Sequence, residues 1–182
     1  RRLQALAVKH CGFKVPFTCG YGSTETGPGG ALVYWPTDRV GLIGLPHPGY
    51  DLKLVPLDDE RYEVRVRSEA VTPGYLGMPE QTAAMLDEEG YFHMGDAASF
   101  LSPDEPLQGL VFAGRISDEF KLVTGTFLRA GQMHDLLLVA AAPLVQYLVL
   151  CGEGEEFVGQ LACLNLKAAR EFAGAPDASL AE

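Results

Sequence analysis

Tyr62-Glu63-Val64-Arg65-Val66-Arg67 alternates apolar and charged residues without a break. Successive side chains of a strand point to opposite faces, so this stretch predicts a strand with one buried and one wet face. Working outward toward the N-terminus, residues 51–55 read as a strand, 41–49 as turns rich in glycine and proline, and 31–35 as a strand broken by Pro36. A further short strand is expected over 15–18. It follows a helix over 1–10, where Leu3, Leu6 and Ala7 recur at helical spacing and Gly12 stops the run. Toward the C-terminus, Pro73-Gly74 breaks the next strand, and Pro79 with Glu80 opens a short helix reaching about Met85. Residues 91–101 and 110–113 read as strands around a polar loop at 102–108.

Past Gly114 the pattern changes. Met133, Leu136, Leu137, Ala140 and Leu144 follow helical spacing, and Pro143 is expected to end the helix; 145–151 and 157–166 read as strands and 167–172 as a helix. The chain is therefore expected to be α+β: a β-rich first part, then a small α+β domain beginning near Ser117. No βαβ repeat suggests a doubly wound parallel sheet.

Composition narrows the partners. A formal charge of −10 over 182 residues argues against a nucleic-acid backbone, which is bound by clustered Lys and Arg. No run approaches the roughly 18 apolar residues of a membrane helix. Cys11, Cys19, Cys151 and Cys163 lack metal-like spacing, and no basic-then-apolar leader opens the chain. Reduced thiols and a cytoplasmic setting are the expectation. The chain starts on Arg1 rather than Met and closes on a soft stretch of Ala, Asp and Pro, which suggests a piece of something longer.

Cys19-Gly20-Tyr21-Gly22-Ser23-Thr24-Glu25-Thr26-Gly27 puts glycines, hydroxyls, an aromatic ring and a carboxylate into one turn-prone segment. Glycines let a backbone approach a ligand, hydroxyls reach phosphate oxygens, a carboxylate holds a hard cation, and a ring stacks on a base. A Mg-nucleotide site fits all of these, and a polar surface turn fits the composition as well. His10, His47 and His134 have no partners at ligand spacing, and His93 reads as a structural or surface residue.

Three separated stretches resemble, in order and spacing, signature motifs of the adenylate-forming acyl-CoA synthetase superfamily: Tyr21-Gly22-Ser23-Thr24-Glu25, Tyr91-Phe92-His93-Met94-Gly95-Asp96, and Gly114-Arg115-Ile116-Ser117-Asp118-Glu119-Phe120-Lys121. Between them, Tyr62 to Arg67, Val71-Thr72-Pro73-Gly74-Tyr75-Leu76 and Pro79-Glu80-Gln81-Thr82 resemble the family's connecting strand motif and its sequel. Gly44-Leu45-Pro46-His47-Pro48-Gly49, Gly109-Leu110-Val111-Phe112 and Phe120-Lys121-Leu122-Val123-Thr124-Gly125-Thr126 look most like feruloyl-CoA synthases. The resemblance implies that residues 1–116 are the C-terminal part of the large AMP-binding domain, a distorted barrel, and that 117–182 begin the small mobile domain.

The resemblance also implies roles. Tyr21 would stack on adenine with Gly20 and Gly22 beneath it; Ser23 and Thr24 would face the phosphates, with Thr24 donating to the α-phosphate; Glu25 would hold Mg²⁺. Asp96 would accept from the ribose hydroxyls, and Arg115 would lie over the ribose or phosphate side. Ser117 occupies the hinge, and Lys121 with Gly125 would face the site when the thioester forms. Many relatives carry that glycine three residues after the lysine, and here it is four residues on. The full enzyme would take ATP, a carboxylic acid and CoA, form acyl-AMP, then acyl-CoA. Loading a carrier-protein phosphopantetheine, or a non-catalytic nucleotide-binding relic, are the alternatives. The family's phosphate-cradling loop would precede Arg1 and its late lysine follow Glu182, so this chain alone is expected to be inactive.

Overall fold

In the computed structural model, which describes residues 2–15, 18–27 and 29–174, the chain forms two compact units, Arg1–Ala113 and Gly114–Glu182. The first opens with helix α1 (Arg2–Cys11), closed at Gly12, whose φ of 80° suits a helix stop. Strands β1 (Gly20–Tyr21), β2 (Ala31–Leu32), β3 (Leu42–Pro46), β4 (Asp51–Pro56) and β5 (Tyr62–Arg67) follow. Helix α2 (Pro79–Ala84) leads to β6 (Phe92–Phe100) and β7 (Leu110–Arg115), whose last two residues enter the second unit.

These seven strands make one sheet in the order β1-β2-β3-β7-β6-β5-β4. The alternation of β5 has the predicted consequence. Val64 and Val66 are fully buried, in a core with Tyr21, Ile43, Phe92 and Met94, whereas Glu63 and Arg65 turn to the opposite face. There Arg65 binds Glu63 (2.6 Å) and Asp87 (3.0 Å), Lys53 binds Asp87 (2.9 Å) and also Glu89, and His93 Nδ1 meets Glu63 (2.9 Å). The Asp87 carboxylate also accepts the N–H groups of Tyr91 and Glu89. The Tyr91 bond most strongly holds its carboxyl well below the usual carboxylate range; burial opposes this, and Lys53 and Arg65 add to it.

The sheet is open among the described residues, with β1 and β4 at its edges; a barrel closes only where every strand is paired on both sides. Two expectations need correction. The stretch 41–49 contains strand β3 in the interior of the sheet. Gly44 permits it: at φ 86° its missing Cβ would lie 2.1 Å from the Leu32 carbonyl oxygen, and the register with β7 slips between Leu42 and Gly44. The strand expected over 31–35 shrinks to Ala31–Leu32. Of the strand expected over 15–18, residues 16 and 17 lie outside the described residues, and no strand is assigned at 15 or 18.

The second unit contains a hairpin of β8 (Glu119–Lys121) and β9 (Phe127–Arg129), helix α3 (Ala130–Ala140), a second antiparallel pair β10 (Val145–Cys151) and β11 (Gly159–Leu164), and helix α4 (Leu166–Phe172). Helix α3 ends at Ala140, short of Pro143. The Asn165 side chain caps α4 by accepting from the Ala168 N–H at 3.3 Å.

Candidate nucleotide-facing edge

The loop between β1 and β2 is held from beneath by Thr26. This residue is fully buried; its Oγ1 accepts the Ser23 N–H at 2.9 Å and its carbonyl accepts the Tyr50 hydroxyl at 2.9 Å. Gly22 sits in a tight place, where a Cβ would lie 3.1 Å from the Gly29 Cα. Burying Thr26 leaves Thr24 exposed and Ser23 and Glu25 half-buried at the surface of the loop, with Gly20 and Gly22 open to solvent. The segment is thus a braced loop that displays hydroxyls, a carboxylate and bare backbone.

Tyr21 and Asp96, separated by 75 residues, meet directly: the Tyr21 hydroxyl donates to Asp96 Oδ2 at 2.8 Å. Asp96 reaches this place because of a bulge in β6. Val64 pairs with Asp96 but Arg65 pairs with His93, so Met94 and Gly95 are extra, and Gly95 has φ 70°. The Gly-Asp pair of the motif therefore has a geometric meaning: glycine makes the bulge that aims the aspartate. Tyr21 is 8% exposed and Asp96 4%. Little of the Tyr21 ring is open for stacking, and what the structure displays is its grip on Asp96.

Glu25 is tied at both ends. Its carbonyl accepts the Thr72 N–H at 2.7 Å and its Oε1 accepts the Tyr75 hydroxyl at 3.1 Å. Burial and the adjoining Glu25 carboxylate push the Tyr75 phenol above its ordinary value, so it stays a donor. Among the described residues no cluster of three or more His, Cys, Asp or Glu is arranged for a metal. One carboxylate, that of Glu25, fits Mg²⁺ arriving with a nucleotide, since that ion is commonly held by one or two carboxylates plus phosphates and water.

Arg115, Lys121 and Gly125 belong to the second unit. Arg115 is exposed at the end of β7, and Ser117 lies in a 3-10 turn, Ile116–Asp118, with its hydroxyl 3.3 Å from Asp118. Lys121 is exposed at the end of β8. Gly125, at φ 83°, closes the β8–β9 turn, where the Leu122 N–H reaches the Thr126 carbonyl at 2.9 Å. The four-residue spacing from Lys121 is absorbed by that hairpin turn.

An open apolar groove of about 410 Å³ beside α2 is lined by Tyr75, Met78, Ala84, Met85 and Phe92, with Gln81 and His93. It offers no carboxylate or glycine-rich backbone and is not the nucleotide edge. Sequence reasoning missed Thr26, Tyr50, Thr72 and Tyr75. Tyr75 stood in a motif already singled out, but no local spacing signals that its hydroxyl reaches back to Glu25.

No protein-family model matches the chain. Curated relatives that match include carboxylic acid reductase of Segniliparus rugosus, 31% identical over 139 residues, and human long-chain-fatty-acid–CoA ligase 1, 31% over 137. They cover 75% and 71% of this chain, which spans only 11% and 19% of them. The A domain of the Segniliparus rugosus reductase, solved with AMP and a co-purified carboxylic acid, shares the fold at a TM-score of 0.65 with 24% identity, covering 98% of this chain and 27% of that one. The chain belongs to the adenylate-forming acyl-CoA synthetase/ligase superfamily. Within it, the likeness runs to a reductase and to a CoA ligase alike.

Proposed function

We propose that this chain supplies the nucleotide-facing edge of an ATP-dependent acid-activating ligase. The observation that carries this reading is the Tyr21–Asp96 hydrogen bond of 2.8 Å, which joins two motifs distant in sequence at one place. Asp96 binds the ribose hydroxyls, and each hydrogen bond to its carboxylate is worth about 1.5–3 kcal/mol. Gly20 and Gly22 let the backbone approach the base beside Tyr21, and Ser23 and Thr24 offer hydroxyls to the phosphates. Glu25 would hold Mg²⁺, which would neutralise phosphate charge. The acid's carboxylate oxygen bonds to the α-phosphorus as pyrophosphate leaves; a thiol sulfur then bonds to the acyl carbon as AMP leaves. The protein acts by positioning and charge stabilisation. Arg115, Lys121 and Gly125, with Ser117 as hinge, serve nucleotide contact and the thioester step.

The names of both relatives share a carboxylic acid and differ in what becomes of it. CoA is the acceptor proposed first, and a carrier-protein phosphopantetheine is the second, supported by a solved A-PCP didomain of the Segniliparus rugosus reductase. The acid is proposed to be aromatic and feruloyl-like, on the resemblance around Gly44 and Gly109. Those two glycines also have a packing reason, since a Cβ on Gly109 would lie 2.9 Å from the Gly44 carbonyl oxygen.

Calorimetry with AMP on the full-length protein tests the site. Asp96→Ala is expected to weaken AMP roughly tenfold or more, and equal affinity in the two proteins overturns the reading.

A further inference from the structure

The segment 72–82 grips Glu25 twice, through the Thr72 N–H at 2.7 Å and the Tyr75 hydroxyl at 3.1 Å. That grip is itself built. The Tyr75 N–H donates to Thr82 Oγ1 at 2.9 Å, Thr82 Oγ1 donates to the Met78 carbonyl at 2.8 Å, and Thr72 Oγ1 donates to the Gly74 carbonyl at 3.1 Å. Gly74, at φ 153°, lies so close that a Cβ would meet Thr82 Cγ2 at 2.5 Å. The Tyr75 ring packs on the core cluster, so its hydroxyl is presented from a rigid base.

A neutral hydroxyl can fix a carboxylate's rotamer without cancelling its charge, whereas an Arg or Lys partner would compete with a cation for it. We propose that Tyr75 is a positioning residue for Glu25, holding the carboxylate in the orientation in which it receives the cation of a metal–nucleoside triphosphate. This deepens, and rests on, the role given to Glu25 under Proposed function.

Tyr75→Phe keeps the ring and its packing and removes only the donor. Affinities for Mg²⁺-ATP and for metal-free AMP are measured by calorimetry on the full-length protein, together with the thermal unfolding midpoint. Tyr75→Phe is expected to weaken Mg²⁺-ATP about three- to tenfold while leaving AMP affinity and the midpoint unchanged. In a Glu25→Gln background the same change is expected to have no further effect, because the two residues act as one unit. Equal weakening of both nucleotides, or unchanged Mg²⁺-ATP affinity in Tyr75→Phe while Glu25→Gln weakens it, overturns the proposal and leaves the role of Glu25 standing. Unchanged Mg²⁺-ATP affinity in Glu25→Gln, or no Mg²⁺-ATP binding by the wild type, removes the role of Glu25 and the proposal with it.

Discussion

Asp96 and Tyr21 show how one hydrogen bond changes the meaning of a motif. From sequence, the aromatic ring was expected to be a stacking platform and the aspartate a ribose ligand. Folded, the ring lies mostly in the core and its hydroxyl holds Asp96. The two roles separate in Tyr21→Phe, which keeps the ring and loses the hydroxyl. If Tyr21 aims Asp96, AMP affinity measured by calorimetry falls about threefold or more; a pure stacking residue would leave it unchanged. Gly95→Ala places a side chain at φ 70°, which costs about 1–2 kcal/mol and disturbs the bulge. It is expected to lower the unfolding midpoint and AMP affinity together, measured on one preparation.

Strand β3 lies in the interior of the sheet, and its sequence hides it. It joins the short pair β1–β2 to the longer strands β7, β6, β5 and β4. Its glycine and proline content reads as turn, and only the close packing of Gly44 on Leu32 explains why glycine is required. Gly44→Ala is expected to destabilise the protein by at least about 2 kcal/mol, from a strained positive φ and a forced backbone shift, seen as a lower urea midpoint. The wet face of β5 makes a different prediction. Asp87 lies below its ordinary value; at Glu63 burial pushes upward, but Arg65 and His93 outweigh it, so it too lies below. The unfolded chain then binds more protons than the folded one as pH falls. This contribution is complete above the ordinary carboxylate range, near pH 4, and is lost as pH drops through the lower folded values. The urea midpoint of Asp87→Asn is expected to fall less than wild type's over that acid range.

The chain consists of two units; of the residues with proposed roles, Gly20 to Glu25 and Asp96 belong to the first, and Arg115, proposed for nucleotide contact, and Lys121 and Gly125, proposed for the thioester step, belong to the second. No helix among the described residues is long and apolar enough to cross a membrane. Because the chain spans only 11% and 19% of the lengths of the two relatives, we propose that, taken alone, it forms no acyl-CoA from ATP, CoA and ferulate. Acyl-CoA formation followed by chromatography checks this. A panel of aromatic and long-chain acids offered to the full-length protein, with CoA or a carrier-protein phosphopantetheine as acceptor, separates the proposed reactions.

Sequence alone determined the elements whose signal is local: β5 and β10 at their observed bounds, α2 and α4 close to theirs, and the superfamily from three motifs in order. Those signals survive because alternation, helical spacing and caps are properties of neighbouring residues. Tertiary structure decided what depends on distant partners. Gly44 is legible as a strand residue only beside Leu32, Thr26 as a brace only against Tyr50, and Tyr75 as a partner only against Glu25, 50 residues away in the chain. Side-chain hydrogen bonds and close backbone contacts between remote segments leave no periodicity in the sequence, so they become visible only once the sheet has brought those segments together.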